Sequence, residues 1–244
     1  DQYGGERIRH HGGKSAFLGY RDYPCNICIS VNEEVVHGLA SQRRGQFGDI
    51  VSVDVGVRYE GFIGDNATTV VVGGCEPAVQ RLMEVTEQAL YDGLGQALAG
   101  NKVVDISRAI QGTAEANGYS IVREFVGHGV GKKVHEDPQI PNFDDGGRRS
   151  PVLKPGMTLA IEPMVNLGQR HVEMLEDGWT VVARDEGGRL GYHGHDGKGF
   201  ASFILQQTFA CADAASPYEW SSHRKKSGGA GSGGQSSGSP CQSI

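Results

Sequence analysis

The sequence predicts a mixed α/β protein of the α+β kind, and three stretches carry that prediction. Residues 50–72, IVSVDVGVRYEGFIGDNATTVVV, read as two strands joined by a tight turn. Val51, Val53, Val55 and Val57 alternate with Ser52, Asp54 and Gly56, and the second strand is rich in β-branched residues. Residues 76–99 place Val79, Leu82, Met83, Thr86, Ala89, Leu90, Leu94 and Ala97 at helical spacing, with Pro77 suited to a first turn. Residues 157–165 return to a short apolar run, TLAIEPMV, with the pattern of a buried strand.

The remaining elements follow in order. Residues 1–11 read as the end of a helix stopped by Gly12-Gly13. Residues 15–23 are aromatic and extended, residues 25–31 are a strand candidate, and residues 43–48 form a loop feeding the hairpin. A second helix is expected over residues 106–117, with Asp105 as N-cap and Gly118 just past its end. Residues 119–125 regain strand character. Residues 127–136 hold three glycines around His128, a loop whose backbone can pass close to a ligand. A polar loop is expected over residues 137–150, a turn region over 170–179 and a strand over 180–183. Residues 203–210 are a short apolar patch, and residues 227–244 hold six Gly and six Ser, the composition of a disordered tail. A GxSxG match at Gly234 to Gly238 falls in that tail, with no strand before it and no helix after it, so it is read as chance.

Composition narrows the function. Net charge is −6 with no basic block, which argues against a nucleic-acid partner. No apolar run approaches the roughly 18–20 residues of a membrane span, and no signal peptide is visible. Five sparse cysteines do not make a disulfide framework, and they point to reduced thiols and a cytoplasmic protein. Cys25-x-x-Cys28 has no second pair to complete a zinc site and does not open a helix. The sequon at Asn66 lies inside the hairpin and lacks a secretory context.

With Tyr59 and Glu60 as central turn residues, Asp54 falls directly opposite Asp65. Opposed side chains sit about 4.5–5.5 Å apart at Cβ, where like charges repel. Such a pair is either a solvated patch on an exposed face or a carboxylate pair awaiting a cation. His128 and Glu162 are two further polar groups set where core-forming sequence would not choose them. Three carboxylates with one imidazole suit a divalent ion such as Mn, Fe, Co or Zn, and a carboxylate bridging two ions is a feature of two-metal hydrolases. The alternative is a loop histidine and a Glu162 paired with Arg or Lys.

Six stretches make the pattern specific: FLGYRDYP (17–24), ICISVNEEVVHGL (27–39), GDIVSVDVGVRYEGFIGD (48–65), GYSIVREFVGHGVGKKVHEDP (118–138), LKPGMTLAIEPMVN (153–166) and EDGWTVVARD (176–185). Over residues 14–185 the chain resembles the type I methionine aminopeptidases of the pita-bread metallopeptidase family. The resemblance implies two pseudo-symmetric halves, with a central antiparallel sheet and helices outside. It implies two divalent ions (Co, Mn, Fe or Zn), with Asp54 chelating one, Asp65 bridging both, and His128 and Glu162 holding the other. His37 and His135 would flank the scissile bond, bind substrate and stabilise the tetrahedral intermediate. Tyr20, Tyr23, Cys28 and Trp179 would line a pocket for an N-terminal Met side chain. The implied reaction is attack of metal-bound hydroxide on the first peptide bond of a nascent chain. The implied setting is a cytoplasmic monomer working near the ribosome, without membrane or nucleic-acid partners.

The departures are specific too. The family carries a fifth ligand, a second bridging Glu in a small-aromatic-Glu-His segment that leads into a strand. The expected position falls near Gly188 to Asp196, where no Glu stands; His195 and Asp196 are nearby but unmatched. Gly56, Asn66, Ala67 and Val134 stand where the family commonly has Thr, Thr, Ser and Phe. The helical segment expected before Asp1 is absent. The expected organisation is therefore an aminopeptidase-like domain over 1–185, incomplete at its start, a divergent segment over 186–226 and the tail over 227–244; a misjoined reading frame near residue 186 would account for the divergence. The missing Glu is expected to weaken at least one metal site. It also supports a second reading, a non-catalytic peptide- or ribosome-binding protein on the same fold. A third, a proline-specific peptidase, is disfavoured by His37 and the segment over 127–138.

Overall fold

A computed structural model describes residues 1–146, 150–184, 202–204 and 206–211. The first helix, α1 (Gln2–His10), is followed by the two-residue strand β1 (Lys14–Ser15), a 3-10 turn at Tyr20–Asp22, and the strands β2 (Cys28–Val31) and β3 (Glu34–Val36). The long hairpin β4 (Ile50–Tyr59) and β5 (Phe62–Val71) comes next, then α2 (Pro77–Gln96) and α3 (Val103–Ala116). The second half runs through β6 (Ser120–Ile121), β7 (Gly127–Gly129), β8 (Glu136–Ile140), β9 (Thr158–Ile161), β10 (Met164–Asn166), β11 (Val172–Met174) and β12 (Val181–Ala183). Two short strands, β13 (Ser202–Ile204) and β14 (Gln207–Ala210), complete the described chain.

Every ladder between these strands is antiparallel. In the first half β4 lies between β5 on one side and β1 and β2 on the other. In the second half the order is β14-β9-β7-β8, with β10 held between β13 and β6. The two helices pack together and against the second half: Leu82, Ile106, Ile110, Leu159, Ile161 and Val165 belong to one buried cluster. The buried stripe of α2 (Val79, Leu82, Val85, Thr86, Ala89, Leu90, Gly93 and Leu94) has the periodicity expected from sequence.

Several local expectations are corrected. The hairpin turn sits one residue later, with Tyr59 paired to Phe62 and with Glu60 and Gly61 in the loop. Both loop residues have positive φ, 48° and 87°, the requirement of a type I′ turn whose twist matches the strands. The register therefore moves, and Asp54 faces Ala67 while Asp65 faces Gly56. The two aspartates share a face as diagonal neighbours rather than as an opposed pair. Helix α3 begins at Val103, not Ile106; Asp105 lies within the first turn and its carboxylate accepts from the Lys102 backbone N–H. Residues 15–23 are not continuously extended, since Arg21 and Asp22 take positive φ in the 3-10 turn.

The glycine-rich stretch around His128 is partly a strand. A Cβ on Gly127 would lie 2.4 Å from the Ala160 carbonyl oxygen, and one on Gly129 would lie 2.3 Å from that of Asp137. These glycines let β7 press between β8 and β9, rather than opening the backbone to a ligand. Part of the expected polar loop is the strand β8. Within the divergent segment, β13 pairs with β10 and β14 pairs with β9. The remainder of that segment, His195 and Asp196 included, and the Gly/Ser-rich tail lie outside the described residues.

Candidate active site

One pocket opens between the halves, and all ten side chains singled out from sequence line it: Tyr20, Tyr23, Cys28, His37, Asp54, Asp65, His128, His135, Glu162 and Trp179. Each comes from a different kind of local constraint. Asp54 and Asp65 project from the same face of the β4–β5 hairpin, and Cys28 on β2 pairs with Asp54 across the ladder. His128 sits in the middle of β7, beside Ala160 of β9. Glu162 lies just past β9, where the Asn142 side-chain amide donates to its backbone carbonyl and pins the chain.

The floor of the pocket is acidic and enclosed. Asp65, His128 and Glu162 are 4, 6 and 8 % exposed. His128 Nε2 lies 3.4 Å from Glu162 Oε1 and 3.8 Å from Asp65 Oδ2. Its Nδ1 lies 2.9 Å from the Gly129 carbonyl oxygen. That contact selects the tautomer with Nδ1 as donor and leaves the Nε2 lone pair facing the carboxylates, the orientation that a metal-binding imidazole needs. Glu162 therefore faces a histidine and two aspartates, and not the Arg or Lys of the alternative reading.

Two buried carboxyl groups with a half-buried third beside them are costly. Burial, and then Asp65, hold Asp54 well above the usual carboxylate range, and Asp54 hydrogen-bonds to Asp65. Burial also raises Asp65, against the opposing pull of His128 and hydrogen bonds from Gln206, Asp54 and Asn66. Glu162 is held well above its ordinary value by burial, then by Asp65 and Asp54. Oδ1 of Asp54 and Oδ1 of Asp65 are buried with no hydrogen-bond partner. Orphaned carboxylate oxygens beside a presented imidazole fit a divalent cation, which would supply the missing partner and replace the proton shared between the aspartates. Among the described residues no three of these groups already stand as a closed metal cage. The side chains instead lean on one another through the contacts that an ion would take over.

The walls are apolar and aromatic. The Tyr23 ring meets Trp179 edge-on with centroids 5.0 Å apart, and its hydroxyl donates to the Gly38 carbonyl at 2.9 Å. Tyr23 and Cys28 hydrogen-bond to each other, and burial pushes both groups above their ordinary titration ranges, so both are neutral. Cys25 and Cys28 are buried free thiols, and Cys28 belongs to the pocket wall rather than to a CxxC metal pair. His37 takes a positive φ of 59°, a strained backbone for a non-glycine residue. Its ring stands edge-on to Phe125 and Trp179, and burial lowers its basicity. His135, open on one side at the pocket mouth, stacks on Tyr20, whose hydroxyl lies 2.8 Å from Nδ1. Desolvation on its inner side, then His128, Arg21 and His37, hold His135 below the ordinary imidazole range. Both rings are thus neutral hydrogen-bonding groups near pH 7.

One floor residue is not among those ten. Gln206, between β13 and β14, is 2 % exposed, lines the pocket and hydrogen-bonds to Asp65. The signal for it is faint: Ser202-Phe203-Ile204-Leu205-Gln206-Gln207 has a small residue, an aromatic and, after two apolar residues, an amide just before a strand that opens on a second.

Residues 2–193 match metallopeptidase family M24. The chain is 47% identical over 193 residues to a methionine aminopeptidase of Clostridium perfringens, covering 79% of this chain and 76% of that one. It is 48% identical over 185 residues to methionine aminopeptidase 1 of Bacillus subtilis, covering 76% and 74%. Among solved structures, the methionine aminopeptidase of Thermotoga maritima superposes with a TM-score of 0.77 at 41% identity, covering 85% of this chain and 78% of that one. The prolidase of Pyrococcus furiosus superposes with a TM-score of 0.55 at 22% identity, covering 77% and 46%, a likeness of fold alone.

Proposed function

The chain belongs to metallopeptidase family M24, and from that premise we propose that it is a methionyl aminopeptidase, removing the N-terminal Met from peptides in a metal-dependent reaction. The observation that carries this reading is the convergence of two sets of side chains on one pocket. Asp54, Asp65, His128 and Glu162 form its floor, while Tyr20, Tyr23, Cys28 and Trp179 form an apolar wall beside them.

The floor residues would hold the metal. When bound, it supplies a Lewis acid and an activated water for attack on the first peptide bond. The chain's own residues then do the positioning. The rings of Tyr20, Tyr23 and Trp179 with the Cys28 sulfur make a wall that suits a flexible thioether side chain. Because Tyr20 occupies Nδ1 of His135, the other ring nitrogen is left for the substrate. His135 and His37 are neutral imidazoles able to donate to the carbonyl oxygen as charge develops there. The strained backbone of His37, wedged against Phe125 and Trp179, fixes its direction before substrate arrives.

The reading extends to a two-ion centre, to nascent chains as the physiological substrates, and to a cytoplasmic monomer. Among the described residues no helix is long and apolar enough to cross a membrane. The test is hydrolysis of Met-Ala-Ser by the purified chain supplied with Mn(II) or Co(II), with Ala-Pro-Ser as comparison. Release of Met from the first peptide alone is expected. Peptide binding without release of Met would turn the conclusion to the non-catalytic reading, and preference for the proline peptide would turn it to a prolidase-like one.

A further inference from the structure

The mouth of the pocket carries charge opposite to that of its floor. Arg21 lines the opening and is exposed, with its guanidinium carbon 5.4 Å from the Tyr20 ring centroid. It stands in a tight turn: Gly19, Arg21 and Asp22 all take positive φ, and the Gly19 N–H donates to the Tyr23 carbonyl at 2.9 Å. A left-handed backbone at a bulky arginine is strained, and such strain gathers at functional sites. Lys132 and Lys133 are exposed on the loop that leads into His135. That loop is pinned to the hairpin, since the Ile63 N–H donates to the Gly131 carbonyl at 2.7 Å and Arg58 Nη1 donates to the Lys132 carbonyl at 3.1 Å. The Glu136 carboxylate accepts from the Lys132 and Lys133 backbone N–H groups at 2.8 and 2.9 Å, which commits it to the backbone and not to the ammonium groups. Among the described residues the head groups of Arg21, Lys132 and Lys133 make no ion pair. In a chain of net charge −6 these cations are a local reversal of sign.

We propose that Arg21, with Lys132 and Lys133 at the same mouth, reads a carboxylate on the substrate chain just beyond the scissile bond, so that peptides with Asp or Glu as third or fourth residue are preferred. The proposal rests on the aminopeptidase reading above and deepens it by naming a substrate class. With the Met side chain against the aromatic wall and the first peptide bond over the floor, the rest of the peptide leaves past His135, through the mouth. An extended chain advances about 3.3 Å per residue, so its third and fourth residues come within reach of a side chain as long as arginine's. The planar guanidinium fork matches a carboxylate. The face of Tyr20 steadies that fork at the opening before substrate arrives. The place of Arg21 in the pocket lining favours a peptide over a larger polyanion, because a group there meets whatever threads the pocket.

The experiment compares C-terminally amidated peptides on the full chain: Met-Ala-Glu-Ser against Met-Ala-Gln-Ser, and Met-Ala-Ser-Glu against Met-Ala-Ser-Gln. Each pair differs by one charge. At least one acidic peptide is expected to exceed its Gln counterpart in kcat/KM by about fivefold, the upper end for one exposed ion pair. The ratio should shrink as NaCl is raised. Arg21→Gln is expected to bring the ratio close to one, and Arg21→Lys to keep part of it. Any effect of Arg21 on His135 acts on both members of a pair and cancels in the ratio. Calorimetry of the metal-free chain with the same peptides reads the preference without turnover, and a thermal melt checks that the variants fold. Equal kcat/KM and equal affinity within both pairs would overturn the proposal and leave the aminopeptidase reading intact. A preference of full size in folded Arg21→Gln would do the same. Tighter binding of an acidic peptide with no release of Met would uphold the carboxylate reader and overturn the aminopeptidase reading.

Discussion

His135 illustrates how a single side chain is made ready by its neighbours. It lies at the pocket mouth, its ring tilted over His128 with centroids 4.3 Å apart, and its Nδ1 is taken by Tyr20. A neutral ring with one nitrogen committed has a single remaining nitrogen to offer, so its direction is set without cost at the moment of reaction. Replacing it, His135→Ala, is expected to lower kcat on Met-Ala-Ser by about 10²–10³-fold, the loss typical of one oxyanion donor. KM and the melting temperature should change little, since the ring is open on one side. Steady-state kinetics beside a thermal melt checks this, and an unchanged kcat would remove His135 from the chemistry. Each of the ten side chains that line the pocket was singled out at this scale because each stands in a stretch of strong resemblance. Gln206 was not, because neither of its flanking residues keeps the pattern that would mark its place.

At the scale of elements, the hairpin decides how the carboxylates meet. The strands themselves were plain from alternation, but alternation does not say which two residues turn the chain. Both Tyr59-Glu60 and Glu60-Gly61 can be written as the loop, and the two choices differ in what faces Asp54. The type I′ turn prefers Gly at its second position, and Gly61 has nothing within 4 Å of where a Cβ would stand, so its role is conformational alone. Gly61→Ala should therefore destabilise the protein by about 1 kcal/mol from the left-handed backbone penalty, measured by urea unfolding. A neutral effect would mean that the turn can relax into another form. Helix α3 shows a different limit: Asp105 looked like a cap, but the Val103-Val104 pair is buried and extends the helix past it. Tertiary burial outweighed the weak local preference of those β-branched residues.

For the whole molecule, a bound metal would couple the two halves. Asp54 and Asp65 belong to the first hairpin, His128 and Glu162 to the second half, so an ion held between them would cross-brace the fold. A ligand that binds only the native state at 100 times its dissociation constant stabilises by about 2.7 kcal/mol. For a chain of this size that corresponds to a rise in Tm of roughly 5–10 °C. Scanning calorimetry with Mn(II) and with EDTA should show that difference, and equal melting temperatures would argue against an ion bridging the halves. The stabilisation should be lost in Glu162→Ala, where the floor lacks one of its three carboxylates.

The sequence by itself determined the α+β class, the periodic helices, the family and the ten residues that meet in the pocket. Those are properties of local pattern: the alternation of a half-buried strand, the stripe of a packed helix, and motifs long enough to be specific. Only the tertiary structure decided how Asp54 and Asp65 approach each other and which residue completes the floor. Both depend on backbone pairing between distant strands, Gly56 with Asp65 and Ala67 with Gln206. Such pairing leaves no periodicity in the chain around it. A buried amide in a short, divergent strand therefore looks like any other polar residue until the hairpin is laid against it.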